Sequence, residues 1–134
     1  MANFVVVCGP PCAGKSTYVR ENAQAGDTVI DWDDIVVDLG FPARHHFVDR
    51  SLVPIIMDEW RRRLDAARHS TGTVWVLRSK PARESRALAV SLGAELVEIS
   101  APIGLLLARA KERPHPVEHE RLILAWHANR RRKR

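Results

Sequence analysis

Long hydrophobic runs are missing from this 134-residue sequence, and none approaches the roughly 20 apolar residues that a bilayer-spanning helix needs. Met1-Ala2-Asn3 leads straight into a strand-like segment without a basic leader, so a cytoplasmic protein without membrane contact is expected. Cysteine is scarce: Cys8 and Cys12 are separated by three residues, with no second Cys or His pair at metal-ligand spacing. That excludes a disulfide framework and a zinc finger, and fits a reducing compartment. The six histidines are scattered, and His115 and His119 stand four apart only across Pro116, a poor setting for a ligand pair. Aromatic residues make up 6%, and internal repeats are absent.

Charge is nearly balanced once the C-terminus is set aside. Lys and Arg total 21 against 16 Asp and Glu, and the whole excess of +5 resides in Arg130-Arg131-Arg132-Lys133-Arg134. Such a tail suits nucleic acid phosphates through counterion release, or it is the solvated end of a helix. The length and the 46% apolar content fit one globular domain over residues 1–129, followed by the basic tail at 130–134.

Strand and helix patterns alternate throughout. Phe4-Val5-Val6-Val7-Cys8 is an unbroken β-branched run of the kind found in strands buried on both faces. A helix is expected from Lys15 to about Ala25, a second strand at Thr28-Val29-Ile30, and a loop with a short helix from Asp31 to Leu39. Ser51 to His69 reads as a long helix with Pro54 in its first turn, Thr73 to Leu77 as a third strand, and Pro81 to Leu92 as a helix. Ala94 to Ile99 is a fourth strand, Ile103 to Glu112 a helix, and Val117 to about Asn129 a last helix with Leu122, Ile123, Ala125 and Trp126 inward. This alternation predicts an α/β protein: a parallel sheet of four to five strands with helices on both faces, in the order 2-3-1-4. Ligands in such sheets sit at the strands' C-terminal ends.

The strongest motif stands at the first of those ends. Gly9-Pro10-Pro11-Cys12-Ala13-Gly14-Lys15-Ser16 fits G-x-x-x-x-G-K-[ST], a pattern arising by chance in about half a per cent of chains this long. It follows a buried strand and opens a helix, the context in which backbone N–H groups cradle phosphates. ATP with Mg2+ is the expected ligand, held from Gly9 to Thr17. Lys15 would lie on the β- and γ-phosphates, Ser16 on the metal, and the helix N-terminus would add its dipole.

Asp31-Trp32-Asp33-Asp34 closes the second strand beside this loop. A hydroxyl acceptor needs a carboxylate to take its proton and the metal needs a second one, so Asp33 is the candidate base and Asp31 the candidate metal-side acid. The alternative is that these acids cap a helix starting near Ile35, with Asp34 the clearest cap. Arg109 and Arg113, four apart before Pro114-His115-Pro116, suit a lid that neutralises charge on the transferred group, or an ordinary solvated helix face. Arg78-Ser79-Lys80 ends the third strand where many P-loop enzymes carry a metal-binding acid, and could hold an anionic substrate. Trp32 is placed to stack on a substrate ring, whereas Trp60, Trp75 and Trp126 have core spacing.

Together the phosphate loop, Asp31-x-Asp33 and Ala108-Arg109-Ala110-Lys111-Glu112-Arg113 resemble the P-loop kinase family, closest to the kinase domain of phage polynucleotide 5′-hydroxyl kinases. The resemblance implies Asp33 as general base and Arg113 as a lid residue on phosphate. Asp31-x-Asp33 is also similar to shikimate-type kinases, and the compact size to small kinase-like proteins of actinobacterial phages. Two departures concern the acceptor side: Val36 and Val37 stand where the polynucleotide kinases carry an arginine, and Arg78 where they carry an acid. The expected function is phosphoryl transfer from ATP to a hydroxyl of a nucleic acid, nucleotide or nucleoside. A small-metabolite kinase and a nucleotide-gated binding protein with little or no turnover are the alternatives.

Overall fold

Parallel β-strands joined by helical crossovers form the frame of the computed structural model, which describes residues 2–41, 50–78, 82–113 and 115–132. Strands β1 (Asn3–Cys8), β2 (Thr28–Asp31), β3 (Thr73–Arg78) and β4 (Glu95–Glu98) pair in the order β2-β3-β1-β4, as expected from the sequence. Helices α1 (Lys15–Asn22), α2 (Trp32–Asp38), α3 (Val53–Ala67), α4 (Ala82–Leu92), α5 (Ile103–Lys111) and α6 (Pro116–Arg132) fill the connections, with a short 3-10 turn at Arg50–Leu52 before α3. Among the described residues the sheet has four strands.

The central strand β1 has no polar face because it is covered twice. Phe4 and Val6 join Ile30, Val74 and Val76 in a core closed by Ile35 and Val36 of α2, Ile56, Trp60, Leu64 and Ala67 of α3, and Ala89 of α4. Val5 and Val7 face the other way, with Trp75 and Leu77, and are covered by Val19, Tyr18 and Ala23 in and just after α1. Each such Val or Ile contributes about 1.5–3 kcal/mol through burial, so the period-2 split of β1 and β3 locks the sheet between its two layers. A third cluster joins Leu106 and Ala110 of α5 and Ile123 of α6 to Cys12 and Ala13.

Register aligns the strand ends. Cys8 lies opposite Arg78, Asp31 opposite Leu77, and Cys8 opposite Glu98, so the loops after β1, β2 and β3 emerge at one edge of the sheet. Asp27 ties the base of this arrangement together: its carboxylate accepts from Gln24 N (2.9 Å), Thr73 N (3.0 Å) and the Trp75 indole (3.0 Å). Those three bonds hold its pKa below the ordinary carboxylate range.

Two local expectations need correction. The helix after β2 starts at Trp32, not near Ile35, because the Asp31 side chain caps it by accepting from Asp33 N at 3.1 Å. Asp34 is therefore not the cap; it sits in the first turn, where a carboxylate suits the helix dipole. In α6, Ile123 and Trp126 are buried with His119, while Leu122 and Ala125 are exposed. The packed stripe runs i, i+4, i+7 from His119, and α6 continues to Arg132, three residues into the basic run.

Candidate functional site

The loop after β1 is built on unusual backbone. Gly14 has φ 100°, and Cys12, which is not glycine, has φ 69°. A left-handed cysteine costs about 1 kcal/mol or more and persists where the surroundings fix it. Here they do: the Cys12 side chain is buried with Leu106, Ala110 and Ile123, and its carbonyl accepts from Arg109 Nη1 at 2.9 Å. Gly9 is fixed by lack of room, because a Cβ there would lie 2.3 Å from the Ile99 carbonyl oxygen. Ile99 N in turn donates to Cys8 O at 2.8 Å, so the segment after β4 clamps the loop's first residues. Pro10 and Pro11 are buried beneath the turn, and Ser16 and Thr17 are exposed at the start of α1.

Lys15 crosses the loop and donates to Gly9 O (2.8 Å) and Pro10 O (2.9 Å). Burial lowers its pKa to about 8, against the opposing pull of the Asp31 and Asp33 carboxylates. An ammonium stripped of water and given two neutral carbonyls as its hydrogen-bond partners remains short of negative charge. A polyphosphate supplies it.

The carboxylates stand beside this lysine. Asp31 ends β2 on the α1 side of the sheet and shares a groove of about 420 Å³ with Ser16, Val19, Arg20, Ala23, Val29, Asp34 and Leu77. The Ser16 hydroxyl and the Asp31 carboxylate thus form a pair of oxygen donors at the mouth of the loop. Magnesium keeps several waters and takes one or two protein oxygens together with phosphate oxygens, so this donor set fits it. No group of three or more metal-ligating acids, histidines or cysteines occurs among the described residues. Partial desolvation raises the pKa of Asp34, and the nearby Asp38 and Asp33 carboxylates add to the effect. Asp33 is part-buried in the first turn of α2, its backbone amide donating to the Asp31 carboxylate.

The remaining candidates are distributed unevenly. Arg109 and Arg113 differ in setting: the first bonds the loop, and the second lies exposed beyond the end of α5. The helix expected as a lid packs on the phosphate loop through Leu106, Ala110 and Arg109. Trp32 is half-buried against the α3 side of the core, its ring 6.3 Å from that of Trp60, so it shares the core spacing of the other tryptophans. Arg78 ends β3 half-buried, while Ser79, Lys80 and Pro114 lie outside the described residues. Two features escaped the sequence reading. Ser85 of α4 is fully buried and hydrogen-bonds the Cys8 thiol just before the loop, and Arg109 holds the Cys12 carbonyl. Only the arginine had a signal, its position among apolar residues of an amphipathic helix.

The sequence matches no family model and no curated protein. Solved structures share the fold. A chain of the Pnkp1/Rnl/Hen1 RNA repair complex superposes with a TM-score of 0.74 at 11% identity, covering 98% of this chain and 46% of that one. A second structure of the Pnkp1/Rnl/Hen1 complex gives 0.64 at 15% identity, covering 81% of this chain and 38% of that one. A tunicamycin resistance protein of Deinococcus radiodurans gives 0.54 at 16% identity, covering 92% and 79%. The chain spans less than half the length of the first two. With the 2-3-1-4 sheet and the loop between β1 and α1, these likenesses show that the chain shares the α/β fold of those structures.

Proposed function

We propose that the chain is an ATP- and Mg2+-dependent phosphotransferase acting on a hydroxyl of a nucleic acid, nucleotide or nucleoside. The observation that carries this reading is the position of Lys15, desolvated in the loop with the carboxylates of Asp31 and Asp33 as its leading charge partners. A loop serving only to hold nucleotide has no need of two acids there. The fold likeness to a chain of an RNA repair complex favours a polynucleotide acceptor, and the basic run into which α6 extends is a surface for its phosphates.

The proposed division of labour draws on the geometry of the loop and of the end of β2. Backbone N–H groups from Cys12 to Ser16, beyond the two prolines that have none to offer, and the dipole of α1 hold the phosphates, and Lys15 leaves Gly9 O and Pro10 O to neutralise the β- and γ-oxygens. Ser16 and Asp31 would hold the magnesium ion, which would supply charge neutralisation at the phosphates. Asp33 accepts the proton of the attacking hydroxyl as its oxygen bonds to the γ-phosphorus, and the bond to the β-phosphate bridging oxygen breaks to leave ADP. Arg113, free in solvent at the end of α5, swings in to meet the charge on the transferred group, and Arg109 holds the loop.

The test is γ-phosphoryl transfer from labelled ATP to a panel of 5′-hydroxyl DNA and RNA oligonucleotides, nucleosides, nucleotides and small polyols. The expected result is a labelled acceptor that disappears in Lys15→Ala. Removal of Arg130 to Arg134 is expected to slow transfer to oligonucleotides selectively; an unchanged rate on every polyanionic acceptor contradicts the polynucleotide reading. Tight ATP binding with no labelled acceptor contradicts the phosphotransferase itself.

A further inference from the structure

The end of β3 carries a charge of unexpected sign. Side chains of β3 alternate: Trp75 and Leu77 face α1, whereas Val74 and Val76 face α2, α3 and α4. Arg78 therefore leaves the sheet on the second side, opposite in direction to its neighbour Leu77, whose register partner Asp31 belongs to the groove with Ser16. The metal-side acid and this arginine thus stand over opposite faces of the same sheet edge, on neighbouring strands, with the phosphate loop following β1 on the other side of β3.

Arg78 is half-buried, and its Nε is shielded from solvent without a hydrogen-bond partner among the described residues. Burial pulls its pKa down against the opposing charge of Glu84, an exposed residue that forms no ion pair with it among the described residues. A buried guanidinium nitrogen without an acceptor is costly in a folded chain and is retained where a ligand completes it. Two further features point the same way. Helix α4, eleven residues long, begins just beyond β3 and so directs its N-terminus to this edge of the sheet. Arg86 in its second turn lies near enough to affect the Cys8 thiol, which stands opposite Arg78 in the register.

We infer that Arg78, with the N-terminal turns of α4 and Arg86, forms an oxyanion site distinct from the phosphate loop, and that the phosphoryl acceptor carries a carboxylate or phosphomonoester group beside its reacting hydroxyl. This rests on the phosphotransferase reading for the acceptor's role, but the anion site itself does not. A planar guanidinium takes either group bidentately, and it stands where a metal-binding acid would repel both. A neutral polyol leaves Arg78 incomplete and is a poor acceptor.

The experiment loads the protein with Mg2+ and the non-transferable β,γ-imido analogue of ATP, so that the phosphate loop is filled, and titrates it with inorganic phosphate, malonate and glycerol. Calorimetry follows wild type, Arg78→Gln and Arg78→Lys. One saturable anion is expected per chain, at least tenfold weaker in Arg78→Gln, with Arg78→Lys intermediate because charge remains without the fork. Glycerol should not bind, and phosphate tighter than malonate, or the reverse, assigns the acceptor's anionic group. Retained binding of the analogue by each variant shows that it is folded. Absence of a saturable anion on the loaded protein, or equal affinity in Arg78→Gln, overturns the site while leaving the phosphotransferase reading intact. Anion binding lost in Arg78→Gln, with no acceptor ever labelled, overturns that reading and leaves the site.

Discussion

Nucleotide affinity should depend on pH through Lys15, and the size of the effect follows from its surroundings. Burial against Gly9 O and Pro10 O lowers its pKa from 10.5 to about 8 in the free protein. Bound phosphates reverse that deficit, so in the complex the group stays protonated across the accessible range. Binding and proton uptake are then linked. With a free-protein pKa of about 8, the ammonium fraction is about nine-tenths at pH 7, half at pH 8 and one-tenth at pH 9. Affinity for Mg-ATP should fall about tenfold between pH 7 and pH 9, with about half a proton taken up per ATP at pH 8. Titration calorimetry in buffers of different ionisation enthalpy measures both. Lys15→Met should bind weakly and lose the pH dependence. A flat affinity between pH 7 and pH 9, or binding at pH 8 without proton uptake, refutes the desolvated lysine. The same shift has a consequence for folding: an unfolded Lys15 binds its proton up to about 10.4, so its penalty on the folded state is relieved as pH rises from 8 towards 10.5.

Other outcomes follow from the packing of the loop. Gly9→Ala places a methyl 2.3 Å from the Ile99 carbonyl, so the loop and the segment after β4 must separate; ATP binding should be lost at a pH where the protein remains folded by circular dichroism. Arg109→Ala frees the Cys12 carbonyl and its strained φ, and should raise the KM for ATP more than it lowers kcat, whereas Arg113→Ala should lower kcat with little change in KM. Steady-state kinetics on the labelled acceptor separates the two; identical patterns refute the split between brace and phosphate ligand.

Much of this was legible before any coordinates. A β-branched run followed by G-x-x-x-x-G-K-[ST] leaves few foldings open, and the alternation of strand and helix restricts the sheet to right-handed crossovers and the observed order. What escaped is set by long-range contact. Nothing local tells that Asp31 rather than Asp34 caps α2, since both are good caps and the choice depends on where β2 stops pairing with β3. The stripe of α6 was misread at Leu122 and Ala125 because helix periodicity leaves the face undefined until α5 packs against it and claims Ile123. Spacing alone could not show the bond of Arg109 to Cys12 O, which spans 97 positions of sequence. The face taken by Arg78 likewise needed the burial of Val74 and Val76 to fix the strand's parity.

Asp33→Asn bears most directly on the central claim. The substitution removes a proton acceptor while keeping the size, the hydrogen bond from the residue's backbone N–H to the Asp31 carboxylate, and the loop. Mg-ATP affinity by calorimetry should stay within about twofold of wild type, while transfer of labelled γ-phosphate to the acceptor falls by about 10² or more, the loss expected for a general base. Transfer at the wild-type rate, with ATP affinity likewise unchanged, would contradict the account.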